Sequence, residues 1–334
     1  VTATAPRPPG GPPPDPPFDV LTMGRVGVDV YPRQSGVGLD RVDSFGKFLG
    51  GSPTNVAVAA ARYGLRAAVV TRTGDDPFGR FVHRALRGFG VDDRFVTAVP
   101  GLPTPVTFCE LFPPDDFPLY FHGRLPTAPD LQVGADELDL DAVRAARVFW
   151  ATGTGLCQEP SRAATLAALA ARAGGPGITV LDLDYRPMFW KSRDEARRRV
   201  REALPYATVA VGNRDEWATA VGTGDPEAAA AAGRALGLDL AVVKRGPDGV
   251  LAVDGSGRPV AVPPVPVEVV NGLGAGDAFG GALCRGLLAG WDTARTLRFA
   301  NAAGALVAGR LACADAMPTA AEVEAALNGA GRVG

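Results

Sequence analysis

Histidine is almost missing from this chain of 334 residues: His83 and His122 are the two, and they stand in no metal-ligand spacing. The four cysteines, Cys109, Cys157, Cys284 and Cys313, are widely scattered. A zinc site and a disulfide framework are therefore not suggested. Excess positive charge is lacking too. Thirty-four Lys and Arg against 36 Asp and Glu leave a formal charge of −2, without the basic footprint of a nucleic-acid binder. No apolar run reaches the length of a membrane span, and the start lacks the apolar core of a signal peptide. The expectation is a cytoplasmic enzyme or binding protein with no membrane and no nucleic-acid partner. What is present is 46% hydrophobic content, enough for one large core or two modest ones. Proline crowds into residues 1–17 (VTATAPRPPGGPPPDPP), which have almost nothing to bury and are expected to form a disordered or polyproline-like tail. One folded domain is expected over 18–330.

The most informative stretch is VVNGLGAGDAFGG, residues 269–281. A β-branched run over 265–270 reads as a strand, the small residues as a tight turn, and the apolar periodicity from Asp277 as a helix. A strand, a Gly-rich turn and a helix make an anion site. Backbone N–H groups at a helix start are unpaired, the helix dipole is positive there, and glycines let the main chain approach a phosphate. A Rossmann fingerprint needs G-x-G-x-x-G, normally near the chain start, and a Walker loop needs G-K-[ST]; neither fits. Asp277 admits two readings. It is an N-cap, or a general base for a hydroxyl while the amides of Gly274, Ala275 and Gly276 hold the charge on a transferred phosphoryl group.

Elsewhere the pattern alternates between strand and helix. Residues 18–32 read as one strand, with Asp29 near its carboxyl end, where open α/β sheets bind ligands; the Asp suits sugar hydroxyls or bonds its own backbone. Gly50-Gly51 precede an Ala-rich helix in which Asn55 clamps vicinal hydroxyls or caps the helix. Residues 104–123 read as a hairpin whose aromatics (Phe108, Phe112, Phe117, Tyr120, Phe121) require one face to be covered. Arg186 follows the buried strand 177–184; its fork suits a carboxylate on a ligand, or pairs with Asp182 or Asp184. The basic helix 193–203 reads as a solvated face. Asn213 and Glu216 follow strand 207–211 and suit a hydrated Mg²⁺ bound to phosphates. Strand 240–244 leads into a turn with Lys244, Gly246 and Gly249. The last helices read as 277–288 and 293–310; the second has small residues beside Asn301, which leave room for a flat ring or pack tightly.

G-A-G-D-A-F-x-G at 274–281 resembles the C-terminal signature of the ribokinase-like (PfkB) carbohydrate kinases. G-G-x-x-x-N from Gly50 to Asn55, followed by V-x-x-x-G-x-D-x-x-G (Val70, Gly74, Asp76, Gly79), resembles their N-terminal signature. The resemblance runs from about Phe18 to the last helix. It implies an α/β, ribokinase-like fold with a mainly parallel central sheet flanked by helices on both faces. A small β-sheet lid over about 30–48 and 104–123 is expected to close over the sugar and to form a homodimer interface. ATP and Mg²⁺ are implied, with nucleotide phosphates over Lys244, Gly246 and Gly249 and adenine beside Asn301. The sequence DLDYRPMFW at 182–190 is similar to the D-x-N-x-R-x-x-x-W of keto-acid sugar kinases, with Asp184 in place of the Asn. That implies an acid-sugar acceptor, with Arg186 and either Arg124 or Lys47 as carboxylate partners. Asn271-Gly272 stand where many relatives have Asp-Thr, which leaves a monovalent cation (K⁺) without that carboxylate. The alternatives are a kinase for 2-keto-3-deoxygluconate, fructose or ribose, or an idle sugar- or nucleotide-binding regulator; a retained Asp277 argues against the last.

Overall fold

Successive residues along a strand point to opposite faces of a sheet, and here both faces are apolar. Val20, Val148, Trp150, Val180 and Val242 join one core cluster, while Leu21, Phe149, Ala151, Leu181 and Val243 join another. A sheet apolar on both sides must be covered by helices on both. The computed structural model, which describes residues 17–330, has that layering.

In chain order, β1 (Val20–Met23), β2 (Gly27–Pro32) and β3 (Phe45–Gly50) lead to α1 (Ser52–Arg62), β4 (Ala67–Gly74) and α2 (Pro77–Gly88). Then come β5 (Val91–Asp92), β6 (Val96–Val99), β7 (Val106–Cys109), β8 (Leu119–His122), α3 (Leu140–Ala145), β9 (Val148–Thr152) and α4 (Ser161–Ala170). The alternation continues through β10 (Ile178–Asp182), α5 (Arg193–Ala203), β11 (Val209–Asn213), α6 (Arg214–Val221), α7 (Pro226–Ala235) and β12 (Leu240–Lys244). It closes with β13 (Val250–Val253), β14 (Pro259–Val262), α8 (Ala275–Leu288), α9 (Thr293–Ala308) and α10 (Ala320–Ala330). The large sheet runs β14-β13-β12-β11-β10-β9-β1-β4-β5, with β6 also on β4, and the small sheet runs β3-β2-β7-β8. From β12 to β5 the large sheet is parallel, and β13 and β14 add an antiparallel edge. The chain leaves β1 toward β4 on one side and reaches β9 on the other, so a crevice opens at the carboxyl ends of β1 and β9.

Two local readings change. Residues 18–32 are two strands in two sheets, because Gly24 turns the chain at φ +142°, where a Cβ would lie 2.8 Å from Thr152 Oγ1. Asp29 therefore sits within a strand of the small sheet and not at the end of a central one. The segment 265–270 forms no strand. Pro263, Pro264 and Pro266 cannot donate to a ladder, and Val270 and Asn271 give their N–H groups to Ala308 O. The helix α10 gave no reading in the sequence, and the Pro-rich tail over 1–17 lies, Pro17 apart, outside the described residues. Among those residues no helix is long and apolar enough to cross a membrane.

The N-terminal motif fastens the root of the small sheet. Asp76 caps α2 through Gly79 N–H and accepts both the N–H (2.7 Å) and the hydroxyl (2.9 Å) of Thr104, just before β7. On the other side, α8 packs on α1 through Gly280 and Gly281. A Cβ on Gly281 would stand 2.3 Å from Ala59 Cβ and 3.0 Å from Ala60 N. Gly281→Ala would gain about 1 kcal/mol of helix propensity but overpack the helix pair by about 1–3 kcal/mol. A net loss is expected, read as a lower urea midpoint at unchanged slope; a raised midpoint would contradict the close approach.

Candidate active site

The helix α8 begins after Gly274, which has φ +80° and leaves no room for a side chain: a Cβ there would be 2.7 Å from Cys313 Sγ. Asp277 N–H bonds back to Gly274 O. Among the described residues no loop or turn carbonyl takes the N–H groups of Ala275 and Gly276, so they and the helix dipole form a cradle that an anion could enter. Asp277 is not the N-cap. Its Oδ1 accepts from Ser52 Oγ at 2.7 Å and its Oδ2 from Asn55 Nδ2 at 2.8 Å, both from the first turn of α1. Burial pushes its carboxyl above the usual carboxylate range, against the bonds from Asn55 and Ser52 and the charge of Arg25. A carboxylate so placed can take a proton from a hydroxyl lying beside the cradle. Asn55 is not a cap either; it lies inside α1, buried, with Oδ1 lacking any protein partner.

Asp29, on β2, is brought in from the small sheet. Its carboxylate accepts the Tyr31 hydroxyl at 2.6 Å, and burial pushes it up to about 6 against that bond and the charge of Arg25. Gly50 and Gly51 make room for protein before ligand: a Cβ on Gly50 would strike the Asp29 carboxylate at 2.2 Å, and one on Gly51 the Arg25 carbonyl at 2.4 Å. Arg186 pairs with Asp184 at 3.0 Å and with Glu216 at 3.3 Å. Both terminal nitrogens of Arg124 go to Asp130, at 2.9 and 2.8 Å. Lys47 lies across from Val30, on the sheet face opposite Asp29, with its ammonium 4.1 Å from the centre of the Phe81 ring.

The far end of the crevice is formed by β10, β11 and β12. Burial pushes Asp182 up to about 8, with the Lys244 charge opposing. Burial also opposes the charge on Lys244, yet Asp182, Glu216 and Asp277 outweigh it and hold the ammonium above its usual pKa. Lys244 Nζ borders the cradle, 3.0 Å from where a Gly276 Cβ would be. Asn213 caps α6 in a reciprocal box with Glu216. The turn after β12 needs Gly246 (φ +60°) and Gly249 (φ +79°). Asn301 donates to Pro263 O at 2.7 Å, fastening the 263–270 segment to α9.

Among the described residues no group of three or more acidic, His or Cys side chains could hold a metal ion. Glu216 is a single carboxylate already taking bonds from Asn213 N–H and Arg186. That donor set fits a Mg²⁺ carried by phosphates and reached through water. A monovalent cation does not fit. Asn271 is fully buried, its Nδ2 donates to Leu311 O at 2.7 Å and its Oδ1 accepts Leu273 N–H at 3.0 Å, so an amide joins the two loops without a negative charge.

Sequence reasoning missed Arg25, Ser52, Tyr31 and Thr154. Arg25 carried the one usable signal, a lone charge inside an otherwise apolar stretch between two glycines. The aromatic hairpin is covered on one face by the main domain: Phe121 meets Phe189 edge-on at 5.0 Å, and Phe117 lies against Gly272.

The family described as pfkB family carbohydrate kinase matches residues 18–320. The 5-dehydro-2-deoxygluconokinase of Shouchella clausii (strain KSM-K16) is 34% identical over 318 residues, covering 92% of this chain and 95% of that one. Its namesake from Clostridium perfringens is 31% identical over 307 residues, 90% of each. Among solved structures, a PfkB protein from Polaromonas sp. JS666 superposes with a TM-score of 0.81 at 26% identity, over 92% of this chain and 99% of that one. A fructokinase double mutant from Vibrio cholerae O395, bound to fructose, ADP and potassium ion, gives 0.81 at 27% identity over 94% and 99%. A putative Ribokinase II from E. coli in complex with ATP and Mg²⁺ shares the fold, with a TM-score of 0.84 at 24% identity over 93% and 99%.

The Asp29 carboxyl is expected to titrate near 6 by ¹³C NMR, and higher in Tyr31→Phe, which removes the hydroxyl that stabilises its charged form. An unshifted or lower value in that variant would show that the hydroxyl does not hold the carboxylate.

Proposed function

The chain belongs to the pfkB family of carbohydrate kinases and is a sugar kinase, and from that premise we propose that its acceptor is an acid sugar, phosphorylated by ATP on a primary hydroxyl. The acid favoured is 5-dehydro-2-deoxy-D-gluconate, yielding its 6-phosphate, since relatives at 34% and 31% identity carry the name of that kinase. The observation that carries an acid over a neutral sugar is the half-buried Arg186 guanidinium in the loop after β10, within electrostatic reach of Asp277.

In this reading the acceptor hydroxyl lies between Asp277 and the cradle. Asp277, held by Ser52 and Asn55, takes its proton; Ala275 and Gly276 N–H and the Lys244 ammonium hold the charge that builds on the transferred phosphoryl group. Asn55 Oδ1 and Asp29 accept sugar hydroxyls. Gly246 and Gly249 let the turn approach the nucleotide phosphates, and Asn301 borders the adenine. Mg²⁺ supplies neutralisation of phosphate charge, with Asn213 and Glu216 ordering its water shell. The small sheet acts as the lid, and its outer face, where Phe45 and Tyr120 are exposed, serves as the interface of a homodimer.

ADP release measured over a panel of acid and neutral sugars tests the acceptor. A higher kcat/KM for the keto acid than for fructose or ribose is expected; equal values would favour a neutral-sugar kinase. Asp277→Asn should lower kcat by about 10²–10⁴-fold with ATP and sugar affinities nearly intact, and turnover near wild type would remove the base from Asp277. Because Asn271 joins its loops with an amide, exchanging K⁺ for tetramethylammonium should change neither kcat nor the thermal midpoint. A drop in either would place a cation at this loop.

A further inference from the structure

Asp184 stands where the keto-acid kinase pattern has Asn, and among the described residues it is the one non-glycine at positive φ, +32°. Asn and Asp both tolerate that conformation, so the backbone alone gives no reason for a carboxylate. Its partners do. Arg25 grips Asp184 bidentately, with Nε on Oδ2 and Nη2 on Oδ1, each at 3.2 Å. Arg186 Nη2 shares Oδ1 at 3.0 Å, and the Thr154 hydroxyl shares Oδ2 at 3.0 Å. Two guanidinium groups thus converge on one carboxylate. Burial works against that carboxylate's charge, and the two arginines outweigh it and keep the carboxyl low.

Arg186 has Glu216 as a second acidic partner, whereas among the described residues Arg25 has no second carboxylate at hydrogen-bond distance and no acceptor at its Nη1. Its side chain is only 13% exposed. Its main chain is pinned as well: Arg25 O accepts the Thr54 hydroxyl at 3.2 Å and lies where a Gly51 Cβ would be. The charges that reach it besides Asp184 are those of Asp277 and Asp29, the proposed base and a proposed hydroxyl acceptor. One arginine is enough to neutralise Asp184. A second, desolvated and rigidly held with a free N–H edge, is costly unless an anion completes its shell.

We propose that Arg25 is a specificity-determining residue that binds the carboxylate of the acid sugar through Nη1, and that Asp184 is the positioning residue that aims Arg25 and Arg186 together. This rests on the acid-sugar reading, deepens it, and accounts for the Asp in place of Asn.

The test compares 5-dehydro-2-deoxygluconate with its neutral carboxamide on wild type, Arg25→Met, Arg25→Lys and Asp184→Asn. Arg25→Met should lower kcat/KM for the acid on the order of 10²-fold, through KM, and leave KM for the amide little changed, while the acid limb of kcat moves up for both compounds alike because the Arg25 charge also bears on Asp277. Arg25→Lys should recover part of the loss, since it restores charge without the fork. Asp184→Asn should raise KM for the acid and not for the amide. Equal losses on both compounds, or a moved acid limb at constant KM, would make Arg25 a tuner of Asp277 and overturn the proposal. If Arg25→Met does not fold, Arg25→Lys decides: an unchanged KM for the acid overturns it. A wild type that does not distinguish acid from amide would instead sink the acid-sugar reading itself, whatever the variants do.

Discussion

The Asp277 carboxylate is held where it is because two helices far apart in sequence nearly touch. Gly280 and Gly281 let α8 lie close on the Val56–Ala60 part of α1, with Val56 Cγ2 and Ala59 Cβ against the places where their own Cβ atoms would be. That approach carries the first turn of α1 to the first turn of α8, where Ser52 and Asn55 meet the carboxylate. The start of α8, the Asp277 carboxylate and the Asn55 amide are therefore one unit, and a shift of either helix would disturb all three. Gly274, left-handed and pressed on Cys313, fixes the same unit from the loop side.

Around this unit the protein gathers several acidic groups, and it keeps them from acting alike. Asp184 is held ionised by two arginines, while burial raises Asp182 to about 8 and Asp29 to about 6. Like carboxylates a few ångströms apart cannot all ionise cheaply, and burial raises Asp182 and Asp29 while the two arginines lower Asp184.

The small sheet brings its own residues to this crevice. Asp29 and Tyr31 point inward from β2, and Phe121 packs on Phe189 across the opening. The clasp of Asp76 on Thr104 fixes where the hairpin leaves the main domain. Asp76, a residue of the N-terminal signature, is here a structural fastener for the small sheet.

The sequence by itself determined the local devices. The Gly-rich turn with its helix start, the buried parallel strands and the hairpin of 104–123 rest on periodicity and turn chemistry, which act over a few residues. The tertiary structure decided whatever depends on a distant neighbour. Gly24 splits an apparent single strand between two sheets only because Thr152 lies against it, and 265–270, β-branched but rich in proline, finds no strand to pair with. Arg25 acquires its role from Asp184, 159 residues away, and Asp277 became a side-chain-held carboxylate and not a cap because of α1, 222 residues away. Pairing across such separations follows from sheet order and helix packing, which no short window of sequence contains.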